Sequence, residues 1–116
     1  IPNSLGNLIC TDKRVVDDYE NDPLVCHVTS GKIYKECYKA VKYIYENMNE
    51  FEYPVLILHG EDDKIVSPKD SEILYEHISS KDKNLKIYPG LYHEIMNEFK
   101  KDIVLEDIHY WLEERI

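Results

Sequence analysis

The feature that most restricts what this chain can fold into is an unbroken apolar run, Pro54-Val55-Leu56-Ile57-Leu58, stopped by His59-Gly60. Alternating apolar and polar residues would mark a strand with one wet face. A continuous run of this length, bounded by turn formers, predicts a strand covered on both faces in a parallel sheet. Such a strand needs a neighbour and a crossover that reaches it.

The following residues supply both. Ser67-Pro68 with Asp70 is a helix start, a capping hydroxyl followed by proline at the first helical position, and Ile73, Leu74, His77 and Ile78 give the expected buried stripe. Leu85-Lys86-Ile87-Tyr88 predicts a second, shorter strand closed by Pro89-Gly90, after which Leu91-Tyr92-His93-Glu94 begins a loop. Ile103, Val104, Ile108, Trp111 and Leu112 share one face of a closing helix, with Trp111 expected to seat it on the sheet.

Upstream, Tyr34, Cys37, Tyr38, Val41, Ile44, Tyr45 and Met48 recur at three and four, with Ser30 and Gly31 near the start, so an amphipathic helix is expected from Lys32. Its stripe could line an acyl pocket, but stripes of this period are usually core, and core is the expectation. Residues 1 to 30 show little periodicity and carry Asn21-Asp22-Pro23, so they read as irregular connection with at most short helical turns. The order helix, strand, helix, strand, helix implies an α/β layered fold, in which ligand sites gather at the carboxyl ends of the strands.

A net charge of −9, with basic residues such as Lys81, Lys83 and Lys86 scattered singly and no basic run longer than two, argues against a phosphate-backbone partner, and leaves no patch for electrostatic docking on an anionic membrane. Cys10, Cys26 and Cys37 cannot all pair within one chain and lack zinc-ligand spacing, so reduced thiols in a cytosolic setting are expected. None of them follows a strand in an elbow, as a cysteine nucleophile would. The start, Ile1-Pro2-Asn3-Ser4, has neither an initiator Met nor a signal-peptide layout, which suggests a piece of something longer.

Two residues stand where this architecture puts chemistry. Asp63 follows the first strand by a few positions and His93 follows the second in the same way. A histidine acts as a general base only when its tautomer is fixed, and an aspartate accepting from Nδ1–H does that while stabilising the imidazolium. Each has a duller reading on its own: Glu61-Asp62-Asp63 as a solvated turn or weak cation site, and His93 as a capped or surface side chain. Their matching positions favour the catalytic pair. His27, His77 and His109 have no partner at a matching strand end and are read as structural.

His59-Gly60-Glu61-Asp62-Asp63-Lys64-Ile65-Val66 resembles the acid-bearing HGxxDxxV segment of monoacylglycerol lipases and lysophospholipases, and Tyr88-Pro89-Gly90-Leu91-Tyr92-His93-Glu94 resembles their histidine loop. Tyr19 followed by Asp22-Pro23-Leu24-Val25 is similar to the stretch by which that family returns from its cap to its core. The resemblance covers nearly the whole chain. It implies the C-terminal half of an α/β-hydrolase fold, with residues 1–50 the end of a cap and its return helix and residues 51–116 the C-terminal part of the core.

It further implies a serine hydrolase of fatty-acyl esters, with Asp63 as the acid and His93 as the base. No metal or organic cofactor is required. The implied partner is a lipid ester, met in the cytoplasm with peripheral membrane contact through the cap, and no nucleic acid. The sequence departs from the family in lacking both Gly-x-Ser-x-Gly and the early oxyanion-hole segment. The 116 residues alone are therefore expected to be inactive, and the strand at 54 to 58 to expose an edge that associates with the missing N-terminal half or another copy. Two alternatives stay open: an inactive binding module of the same fold, and a same-fold hydrolase with an aspartate nucleophile. The residue at the upstream elbow decides between them.

Overall fold

The apolar run forms β1 (Val55–Gly60), and its parallel partner is β2 (Lys83–Tyr88), in register from Val55 opposite Lys83 to Gly60 opposite Tyr88. The second strand is two residues longer at its start than expected, because Lys83 and Asn84 join the ladder although neither is apolar. These facts come from a computed structural model that describes Pro2 and residues 4–116; Ile1 and Asn3, part of the start without Met, lie outside the described residues.

Three helices flank or precede the sheet at the positions the periodicity predicts. The first, numbered α3 in chain order, spans Gly31–Asn47 and is capped by Ser30, whose hydroxyl accepts from the Ile33 amide. The crossover helix α4 (Pro68–His77) is capped by Ser67 with Pro68 in its first turn, and α5 (Lys101–Glu113) closes the chain. Successive β1 side chains point to opposite faces. Ile57 packs with Met48, Ile78 and the α4 residues Ile73 and Leu74. Leu58 packs instead with Tyr88, Leu91 and the α5 residues Val104 and Ile108. The sheet thus lies between α4 and α5, a three-layer α/β arrangement.

Polar contacts fasten both helices to β2. Lys83 Nζ donates to the carbonyls of Tyr75 and Ile78 at 2.6 and 3.0 Å, supplying a cation where the α4 carbonyls are unsatisfied. Trp111 Nε1 donates to Asn84 at 2.9 Å, and the Arg115 guanidinium reaches Asp82 at 2.6 Å. Tyr88 donates its hydroxyl to Asp107, which also pairs with Lys86.

Four expectations need correction. The region before residue 30 holds, besides the four-residue α1 (Gly6–Ile9), a nine-residue helix α2 (Lys13–Asn21). Asp12 caps it by accepting from the Arg14 amide, and Val16 packs with Ile9 and Cys10. The stripe of α3 is not core: Tyr38 is 72% exposed, and of the stripe's residues only Met48, just beyond the helix, is buried, in the sheet's core with Ile57 and Ile78. Periodicity reports that a face requires cover, not that the same stretch of chain provides it. His77 is exposed, its ring bonding back to the Ile73 carbonyl at 2.8 Å. Ile103 and Leu112 of α5 are also exposed, because Val104, Ile108 and Trp111 already span the width of the helix that meets the sheet.

On the side away from β2, no described residue pairs with β1. No helix among the described residues is long and apolar enough to cross a membrane. Cys10 is buried, while Cys26 and Cys37 are exposed, and none of the three forms a disulfide among the described residues.

Candidate active site

Parallel strands end at the same rim of a sheet, so the loops leaving β1 and β2 are neighbours before any long-range contact is made. The Glu61 amide donates to the Tyr88 carbonyl at 2.9 Å and the Asp62 amide to the Leu91 carbonyl at 3.0 Å, which stitches the acid loop to the histidine loop. Gly60 makes this approach possible. A Cβ there would lie 2.1 Å from the Tyr92 carbonyl oxygen and 2.4 Å from that of Leu91, and both obstacles are backbone. Gly90, at φ +75°, turns the chain after β2 in a conformation that side-chain-bearing residues rarely adopt.

Within this frame the structure brings together the two residues singled out by their sequence positions. His93 Nδ1 is 2.8 Å from Asp63 Oδ2. An ionised carboxylate only accepts, so Nδ1 carries the hydrogen and Nε2 keeps its lone pair. The Asp63 side chain is 2% exposed and that of His93 is 39% exposed, so the acid is enclosed while the imidazole opens outward. Oδ1 of Asp63 accepts the amides of Ile65 and Val66 at 2.8 and 3.0 Å. Burial pushes the Asp63 carboxyl upward, but the Val66 amide, His93 and the Ile65 amide outweigh it, and the net result lies below the ordinary carboxylate value. The acid is an anion held in a fixed orientation.

Around the pair lies an open cavity of about 670 Å³, bordered by Leu58, Ile95, Met96 and Trp111 as well as Asp63 and His93. Its wall is mainly apolar, and it follows the unpaired side of β1. The Cys10 thiol lies apart from this cavity, and burial raises it above its usual value, the reverse of what a thiolate nucleophile needs.

Two further residues support the pair and were not singled out from the sequence. His59, the penultimate residue of β1, places Nε2 3.0 Å from the same Asp63 oxygen that faces His93. Its signal was a second histidine four positions before the acid at the strand end. Glu98 is 1% exposed and accepts the Tyr92 amide at 2.9 Å, the Thr11 amide at 3.1 Å and the Thr11 hydroxyl. With the Glu94 amide donating to the Ile9 carbonyl at 2.7 Å, it binds residues 9–11 to the loop that carries His93. No sequence pattern marks a glutamate of this kind, because its partners are backbone groups and a threonine 87 residues away.

Replacing Glu98 with alanine leaves three donors beside a void. We expect a loss of about 2–4 kcal/mol, read as a lower denaturant midpoint at unchanged m-value. A change below about 0.5 kcal/mol would show that water substitutes for the carboxylate there.

The layered sheet with its rim of polar loops is an α/β-hydrolase arrangement, and the comparison with solved structures agrees. The monoacylglycerol lipase of Paleococcus ferrophilus superposes with a TM-score of 0.90 at 30% identity, covering 97% of this chain and 44% of that one. A family profile described as serine aminopeptidase, S33, matches residues 1–100, and the chain belongs to that family. It is 32% identical over 116 residues to a monoacylglycerol lipase of Mycolicibacterium smegmatis, the match covering 97% of this chain and 40% of that protein. It is 34% identical over 128 residues to a monoglyceride lipase of Rattus norvegicus, covering 100% and 41%. The chain therefore spans about two fifths of the length of these curated relatives.

Proposed function

We propose that this chain provides the acid and base of a serine esterase acting on fatty-acyl esters, monoacylglycerols or lysophospholipids, with the nucleophile and oxyanion hole contributed by residues outside these 116. The observation that carries the reading is the enclosed Asp63 carboxylate hydrogen-bonded to an outward-facing His93 at the rim of a parallel sheet. The relatives named as monoacylglycerol and monoglyceride lipases support the lipid ester.

In this reading His93 Nε2 takes the serine proton as the oxygen attacks the ester carbonyl, then returns it to the departing alcohol. Water repeats the sequence: His93 removes its proton, hydroxide adds to the acyl-enzyme, and the fatty acid leaves as serine is reprotonated. Asp63 stabilises the imidazolium in both halves. Residues 1–50 act as the end of a cap and its return, and residues 51–116 as core. The free side of β1 receives a strand of the remaining polypeptide, since a strand paired on one side presents unsatisfied amides and carbonyls.

The test uses the longer polypeptide that contains this chain. A serine-directed fluorophosphonate is expected to label one serine outside the 116 residues, and monoolein hydrolysis to be lost with the label. The 116 residues alone are expected to hydrolyse nothing. A longer polypeptide that is neither labelled nor active on any acyl ester would overturn the reading.

A further inference from the structure

Asp63 has one carboxylate oxygen for two imidazoles. Oδ1 is taken by the Ile65 and Val66 amides, and Oδ2 lies 2.8 Å from His93 Nδ1 and 3.0 Å from His59 Nε2. The second ring is not open in the way the first is: the His59 side chain is 12% exposed, against 39% for His93. It is therefore no alternative base.

Its hydrogen can be assigned from its surroundings. Nε2 faces Asp63 Oδ2 and, at 3.1 Å, the Val66 carbonyl. Both only accept, so Nε2 carries the ring hydrogen. Nδ1 lies 2.7 Å from Ser71 Oγ on α4, whose hydroxyl can donate to it. Both ring nitrogens then have a partner.

We propose that His59 is a positioning residue for the acid, a donor that holds Asp63 Oδ2 toward His93 and anchors it through Ser71 to the crossover helix. This assignment rests on the esterase reading for its kinetic consequence, though not for the contact itself. An N–H at this place fixes the oxygen that faces His93. A structural ring could have bonded the Val66 carbonyl alone. The shared carboxylate oxygen is what ties His59 to the reaction.

Two variants of equal polarity separate these roles, because a glutamine amide nitrogen falls near the Nε2 position and an asparagine amide nitrogen near Nδ1. In the longer polypeptide, His59→Gln retains the donor to Asp63 and is expected to keep kcat within about threefold of the parent. His59→Asn reaches only Ser71, and its kcat is expected to fall by roughly ten- to a hundredfold with KM within about twofold. Equal kcat in the two variants would overturn the proposal, as would a loss confined to KM.

Should either variant fail to fold, ¹⁵N-histidine NMR of the parent protein decides the contact. A hydrogen on Nε2 of His59 at neutral pH supports it, and a ring protonated on Nδ1 alone refutes it. Absence of fluorophosphonate labelling in the parent would remove the esterase reading and leave this NMR result standing by itself.

Discussion

Asp63→Asn, made in the longer polypeptide, is expected to lower kcat on monoolein by about 10⁴-fold with little change in KM, the size of effect seen when the acid of a serine-histidine-aspartate triad is amidated. The structure gives this result a specific cause. Oδ1 is bound by the Ile65 and Val66 amides, so an asparagine must place its own oxygen there. Its NH₂ group then occupies the Oδ2 position, facing Nδ1 of His93 and Nε2 of His59. Two donors meet a donor. His93 relieves the conflict by moving its hydrogen to Nε2, the atom that must accept the serine proton. Fluorophosphonate labelling should slow by a similar factor, since it uses the same proton transfer. A kcat within tenfold of the parent would show that Asp63 does not set the His93 tautomer.

The second large effect requires no polar atom. Gly60→Ala puts a methyl group 2.1 Å and 2.4 Å from the carbonyl oxygens of Tyr92 and Leu91, and neither oxygen can rotate away as a side chain could. The histidine loop has to back off from the end of β1, and it carries His93 with it. Overpacking of this sort costs about 1–3 kcal/mol in stability, and a displacement of roughly 1 Å at a reacting group costs on the order of a hundredfold in rate. We expect kcat/KM to fall by about a hundredfold or more while the fold survives. Gly31→Ala is the control: no atom lies within 4 Å of the added methyl at the start of α3, and both rate and stability should be unchanged or slightly improved. Similar behaviour of the two alanine variants would refute the close approach at Gly60.

The contrast between these glycines shows what the sequence disclosed and what it withheld. Ser67-Pro68 announced α4, and the apolar run announced β1, because caps and hydrophobic period are local properties that a short window contains. Asp63 and His93 could be singled out for a related reason: parallel topology turns position after a strand into position in space. Helix α2 leaves little sequence signal, because nine residues with Val15, Val16 and Tyr19 give too short a stripe beside the turn formers that follow. The bare face of α3 is not legible in its period, because cover is a property of the whole assembly. Glu98 was invisible because its partners are main-chain amides, which every residue but proline possesses. His59 was in plain view within the acid segment, but only coordinates reveal that its ring turns to the same carboxylate oxygen as His93.

Asp63 and His93 are joined through consecutive elements of a single β-α-β unit, thirty positions apart, and the amides of Glu61 and Asp62 already bond across to the second loop. The geometry of the pair is therefore set within one contiguous segment of the chain. In the proposed esterase, the attacking atom could be exchanged in another part of the polypeptide without disturbing the contact between these two side chains.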